Sequence, residues 1–266
     1  MRLNSPKINI MYRACMKASK SLIRDFGELE KLQVSKKGPG DFLSAADKKS
    51  EKIIIQELTK SYPDYSVLSE ELGEINKSED DKWIVDPIDG TTNFLNGIPQ
   101  FAISIAYEHK KEVMCGIIFD PIKNEIFCAE KGLGSYLNNS RIRVSNKRRL
   151  EESILVTGGP KFNSKNKNKI FDEYFDISKK CNIPIRKFGS ASLDMANVAC
   201  GRFDGYWQWE LNYWDVAAGI IIVKEAGGFV DNITESNKSS NKRNIIATNS
   251  QIHEELLGSL SKKNIE

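Results

Sequence analysis

The chain is poor in several features that would narrow its function quickly. No apolar run approaches the length of a membrane-spanning helix, so no span is expected. The five cysteines, Cys15, Cys115, Cys128, Cys181 and Cys200, are odd in number and widely spaced. Without a C-x-x-C pair they support neither a zinc nor a thioredoxin-like site, and reduced thiols in a cytoplasmic protein are expected. There are two histidines, His109 in a turn region and His253 near the last helix, both expected at the surface. A dominant charge is also missing. Lys and Arg total 39 against 36 Asp and Glu, a net charge of +3 over 266 residues. The lysines are scattered, so no nucleic-acid partner is implied.

What remains is ordinary for an enzyme. The 40% hydrophobic content supports a sizeable core, and the length suits one large α/β domain or two smaller ones. The first 24 residues hold Arg2, Lys7, Arg13, Lys17, Lys20 and Arg24 and no acid. That suits a transit peptide. The better reading is a first helix of the fold over about residues 6–30, because Ile10, Ala14, Leu22 and Ile23 form an apolar face.

Gly38-Pro39-Gly40 predicts a break, and "SAADKKSEKIIIQELTKSY" a helix from Ser44 stopped by Pro63. Ser44 and Asp47 have near-capping-box spacing. "SVLSEELGE" and "KWIVD" read as short strands. Residues 101–142 read as an antiparallel meander with turns at 109–111, 121–124 and 138–139. The pattern then changes: a strand in "SILVTGG", a helix over 166–181, a small-residue helix ended by Gly201, and a strand in "FDGYWQW". "WDVAAGIIIVKEAGG" is a helix apolar nearly all round, hence buried between layers. Residues 236–244 read as an exposed loop, and a last helix starts near Gln251. The organisation expected is an α+β half over residues 1–150 and an α/β half over 151–266, completing one catalytic unit.

Chemistry concentrates in "VDPIDGTTNF". Asp86 and Asp89 flank Pro87 at the end of an apolar strand, and Gly90-Thr91-Thr92 follows. Hard divalent cations take carboxylate and carbonyl oxygens, and the Ile88 carbonyl is available beside the two acids. Backbone N–H groups at a helix start bind phosphate. Glu70 and Glu71 end an upstream strand, and Asp215 opens the buried helix. Singly, each has a plainer reading. Asp89-Gly90 is a common turn, Asp47 and Asp215 suit helix caps, and Glu70 suits solvent. Their joint placement at element ends points to a site.

These residues resemble the inositol monophosphatase family of Mg²⁺-dependent, lithium-sensitive sugar phosphatases. "WIVDPIDGTTNF" matches its first signature, "YWDVAAGIIIVKEAGG" its second, and "DFLSAADKKSE", "SEELG" and "GSASLDMANVACGRFDGYW" resemble intervening segments. The resemblance spans about residues 8–260. It implies a layered αβαβα sandwich, a homodimer, and a phosphoric monoester hydrolase of the inositol-phosphate type. Roughly two or three Mg²⁺ ions per subunit would serve it. Glu70, Asp86 and the Ile88 carbonyl would hold one metal; Asp86, Asp89 and Asp215 a second; Glu70 with waters a weaker third. Thr91 with Asp47, and Glu70, would serve the attacking water. Gly90, Thr91, Thr92 and Asp89 would meet the phosphate side of the substrate, and Ala191 and Gln208 its remainder. One departure stands out. Many family members place a glutamate seven residues before the second-signature aspartate, where this chain has Gln208; Glu210 lies two residues on, where strand alternation would return it to the same face. The implied substrate is a small polyol phosphate, myo-inositol 1-phosphate first. Histidinol phosphate, fructose 1,6-bisphosphate and a nucleotide 3′-phosphate are alternatives. A regulatory binding protein on the same fold is the alternative of another class.

Overall fold

The computed structural model describes residues 5–28, 34–38, 41–160, 164–233 and 242–261. Helix α1 (Pro6–Gly27) is capped by Ser5, whose side chain accepts from the Ile8 N–H. A hairpin, β1 (Val34–Gly38) and β2 (Asp41–Ser44), precedes α2 (Ala45–Ser61). Gly38 of the expected break ends β1. Pro39, Gly40 and the Ser44 side chain lie outside the described residues.

Next come β3 (Ser66–Ser69), β4 (Gly73–Ile75), β5 (Asp81–Asp89) and the short α3 (Thr91–Leu95). The expected meander follows as β6 (Ala102–His109), β7 (Glu112–Asp120), β8 (Glu125–Glu130), β9 (Gly134–Leu137) and β10 (Ser140–Arg141). The second half supplies β11 (Leu155–Thr157), α4 (Lys167–Ser178), α5 (Ala191–Ala199), β12 (Gly205–Asn212) and α6 (Tyr213–Glu225). The chain closes with β13 (Phe229–Asn232), β14 (Lys242–Thr248) and α7 (His253–Ser261). β14 begins inside the stretch expected as a loop; residues 236–241 lie outside the described residues.

Two mixed sheets result, ordered β10-β9-β8-β7-β6-β5-β3-β4 and β11-β12-β14-β13. Helices α5 and α6 lie between them, α1 and α2 cover the outer face of the larger sheet, and α4 and α7 that of the smaller. This is a layered αβαβα sandwich. Strand alternation assigns side chains to layers: Trp83 and Val85 pack with α1 and α2, while Ile84 between them packs with α5 and α6. A sheet covered on both faces reads as an unbroken apolar run, which is why β5 does not alternate in sequence.

The all-round apolar α6 is the centre of this arrangement. Val216, Ala217, Ala218, Ile221, Ile222 and Val223 are buried on it, each larger one contributing about 2 kcal/mol by its burial. Small residues let it approach its neighbours. A Cβ on Gly219 would stand 2.7 Å from the Met195 sulfur, and one on Gly116 would stand 2.9 Å from Ala218 Cα.

All five cysteines are free, and burial pushes the Cys115 and Cys128 thiols up to about 12. Among the described residues no helix is long and apolar enough to cross a membrane. His253 is not at the surface. It is 3% exposed, with Nδ1 2.7 Å from Thr248 Oγ1 and Nε2 3.0 Å from Asp231 Oδ2, because the start of α7 packs onto the smaller sheet. His109 is partly exposed, its Nδ1 2.9 Å from Asp81 Oδ1.

Candidate active site

The spacing of Asp86 and Asp89, three apart, has a geometric explanation. Residues i and i+3 of a regular strand face opposite sides. Here the pairing of β5 with β6 runs Asp86↔Ser104 and then Asp89↔Ala102, so β5 carries one extra residue. That bulge restores a common face to the two aspartates. Pro87, which has no N–H to leave unpaired, sits in it. The Ile88 N–H donates back to Asp86 Oδ1 at 3.1 Å, and Ser50 on α2 donates to the Pro87 carbonyl at 3.2 Å. The feature is therefore a bulged strand end.

Gly90 follows with φ of +97°, and a Cβ there would stand 3.0 Å from the Gln100 carbonyl oxygen. Only glycine suits that conformation and that space. It starts α3, whose first N–H groups have no partner within the helix. Thr91 Oγ1 donates to the Ile88 carbonyl at 2.9 Å. Asn93 Nδ2 donates to the Gln100 and Phe188 carbonyls at 2.8 and 2.7 Å, tying this loop to the approach to α5.

A cleft of about 200 Å³ opens here. Glu70, Asp86, Ile88, Asp89, Gly90, Thr91, Ala191, Gln208 and Asp215 all line it. The first six come from the large sheet and its loop; the last three come from α5, β12 and α6. Asp47, 1% exposed in the first turn of α2, and the exposed Thr92 are not on the cleft wall. Asp47 still belongs to the charge cluster. Burial is the main cause raising Asp86 well above the usual carboxylate range, followed by the charges of Glu70, Asp89, Asp215 and Asp47.

Asp89 is held differently. Its Oδ2 accepts from Ser190 Oγ at 2.6 Å, from Ser192 N at 2.7 Å and from Ser192 Oγ at 2.5 Å, and its Oδ1 from Ala191 N at 3.3 Å. Burial still raises its pKa, against these donors. Asp215 Oδ2 accepts from Asn212 N at 2.7 Å, completing a capping box on α6. The cap suggested for Asp215 is thus present, and the residue lines the cleft as well.

No three His, Cys, Asp or Glu side chains among the described residues stand close enough to enclose a cation. The donor set itself suits a hard divalent ion: four carboxylates and a carbonyl oxygen on one cleft, with Asp86 destabilised as an anion by its neighbours. Each carboxylate offers about four acceptor sites, so capping and cation binding are compatible.

At the far wall, Tyr206 OH donates to Gln208 Oε1 at 2.7 Å, which leaves the Gln208 NH₂ as the amide's donor end. Gln208 lies directly on Gly158, where a Cβ would fall 1.9 Å from Oε1. Glu210 does not share its face. The register slips between Gln208 and Leu211, Glu210 takes φ of +60°, and its carboxylate accepts from Ser164 Oγ at 2.8 Å.

Sequence reasoning missed the supporting residues. Ser190 and Ser192 carried no reading of their own within the segment expected as a small-residue helix. Glu51 accepts from the Glu71 and Leu72 N–H groups at 3.0 and 3.3 Å and so fixes the strand end carrying Glu70. Asp194 on α5 is fully buried with neither carboxyl oxygen hydrogen-bonded; burial, then the charge of Asp89, raises it well above the usual range.

Layered sheets with an acid-lined cleft at their strand ends define the class: this is a fold of the sugar phosphatase type. The profile of the inositol monophosphatase family matches residues 3–266. Inositol-1-monophosphatase of Rhizobium meliloti is 45% identical over 93% of each chain. "Nus factor SuhB" of Haemophilus influenzae is 39% identical over 96% of each. The crystal structure of extragenic suppressor protein suhB from Bartonella henselae superposes with a TM-score of 0.92 at 47% identity, over 98% of this chain and 100% of that one. The chain belongs to the inositol monophosphatase family, and membership supports phosphatase activity on phosphate monoesters.

Proposed function

We propose that the chain is a Mg²⁺-dependent phosphomonoesterase acting on a small polyol phosphate, with myo-inositol 1-phosphate the favoured substrate. The observation that carries this reading is the convergence of Glu70, Asp86, Asp89 and Asp215 with Ile88, Gly90, Thr91, Ala191 and Gln208 on one cleft. Glu70, Asp86 and the Ile88 carbonyl would hold one ion, Asp86, Asp89 and Asp215 a second, and Glu70 a weaker third. Bound there, Mg²⁺ supplies the positive charge that activates a water and stabilises the leaving oxygen.

The protein's own groups do the positioning. The Gly90 and Thr91 N–H groups hold phosphate oxygens. Thr91 spends its proton on the Ile88 carbonyl, so its oxygen accepts from the attacking water and aims it in line with the ester oxygen. Asp47, a further negative charge in the same cluster, favours proton loss from the water. The P–O(water) bond forms as the P–O(ester) bond breaks, and the alkoxide leaves with a solvent proton. Gln208 presents its NH₂ to a hydroxyl oxygen of the polyol, and Ala191 leaves room beside it. Residues 1–150 and 151–266 act as one catalytic unit, because each brings part of this wall. The protein works as a cytoplasmic homodimer.

The test is phosphate release from myo-inositol 1-phosphate, histidinol phosphate, fructose 1,6-bisphosphate and 3′-phosphoadenosine 5′-phosphate, with Mg²⁺ and with EDTA. Mg²⁺-dependent release, fastest on the first, is expected. Fastest release on another ester would move the substrate and keep the chemistry. No release from any would favour the regulatory-protein reading.

A further inference from the structure

A second cleft, of about 450 Å³, opens at the other end of α6. Arg141, Arg143 and Arg148 line it, with Ser145, Glu225 and Gly227. The α6 helix has 13 residues, so this cleft lies about 20 Å from the acidic one along the helix axis. We infer that it is a binding site for a small anion of phosphate chemistry carrying at least two negative charges.

The sequence between 141 and 149 holds Arg141, Arg143, Lys147, Arg148 and Arg149 and no acid, in a chain whose net charge is only +3. Arg149 pairs with Glu151 and Glu152. The side chains of Arg141, Arg143 and Arg148 have no hydrogen-bonded or ionic partner among the described residues. The one acid on the cleft wall forms no ion pair with them, and its single charge leaves the three arginines in excess. Glu225 accepts from the Gly132 and Gly134 N–H groups, at 2.9 and 2.8 Å, through its two carboxylate oxygens. The C-terminal end of α6 adds only about half a negative charge.

The cleft floor is fixed. The Val144 N–H donates to the Ala226 carbonyl at 3.1 Å, and Ser145 donates to Asp204 while accepting from Asn249. Arg141 lies across Gly134, where a Cβ would stand 2.9 Å from its Nη2. Glycine there lets the guanidinium lie flat on β9. Guanidinium forks match phosphate oxygens in pairs, and three unneutralised forks on one concave wall suit a ligand with two anionic groups better than a single carboxylate.

The test titrates pyrophosphate into the full-length protein in EDTA and low salt, by calorimetry. Stripping metal leaves the catalytic cleft negative, so it repels the probe. One bound equivalent is expected. Arg143→Ala should weaken binding about tenfold through the loss of a charge-assisted contact, and the triple variant Arg141→Ala/Arg143→Ala/Arg148→Ala should abolish it. Phosphate-release assays of the triple variant with Mg²⁺ check that it folds. Asp86→Asn should bind pyrophosphate as the wild type does. The inference is overturned if the wild type does not bind, if the triple variant binds equally, or if Asp86→Asn alone changes binding. It is also overturned if a single-stranded oligonucleotide binds through these arginines where pyrophosphate does not.

Discussion

The two ends of α6 carry opposite charge in different ways. At its start, Asp215 shares a cleft with Glu70, Asp86 and Asp89; at its end, Ala226 and Gly227 floor a cleft walled by three arginines. Both signs suit the helix dipole. The costs differ. Asp86 and Asp89 are 2% and 7% exposed, raised in pKa, and set by a bulge and, for Asp89, by a ring of serine and backbone donors. The arginines are exposed and cost little to keep charged. Buried like charges held together against their own repulsion are the stronger sign of chemistry, which supports the proposal of catalysis at the acidic end and accessory binding at the basic one.

The largest expected effect is at Asp86. Asp86→Asn should lower Mg²⁺-dependent phosphate release on the order of a thousandfold, since one residue would serve two cation sites. Next come the groups that aim Asp89. Ser190→Ala with Ser192→Ala should cost about tenfold in turnover and raise the Mg²⁺ needed for half-maximal rate, because the carboxylate loses both hydroxyl donors. Equal rates and equal Mg²⁺ requirement would show that the backbone donors suffice.

The acidic end should also betray itself in stability. The folded pKa of Asp86 is raised above its unfolded value near 3.8, so the folded state binds more protons. Its stability in EDTA then falls as pH rises above that value toward the folded pKa. Thermal melts in EDTA at neutral pH should therefore show Asp86→Asn a few degrees more stable than the wild type, with the gap closing as pH falls toward 4. Gln208→Ala should raise KM a few-fold with kcat nearly unchanged, one hydrogen bond's worth of substrate binding. Smallest of all, Arg141→Ala should leave turnover within about twofold, as a surface change remote from the chemistry.

Much of this was legible in residues alone. The period of α1, the meander, and the all-round apolar α6 each encode their burial locally. So did the placement of acids at element ends. The bulge at Pro87 was not, because it depends on the register of β5 against β6, which no local pattern states. Glu210 was misplaced for the same reason: an irregularity in β12 against β14 broke the alternation assumed for it. His253 looked exposed because a helix start near the chain end carries no sign of what packs upon it. Ser190, Ser192 and Glu51 act on partners far away in sequence, so their roles emerge only from the fold.

The most direct measurement is Mg²⁺ binding itself, by calorimetry on EDTA-stripped protein without substrate, for the wild type and Asp86→Asn side by side. Saturable Mg²⁺ binding by the wild type, weakened at least about tenfold in the variant, is the predicted result. Superimposable isotherms, or no binding by the wild type, would contradict the assignment of the acidic cleft as the metal-dependent catalytic site.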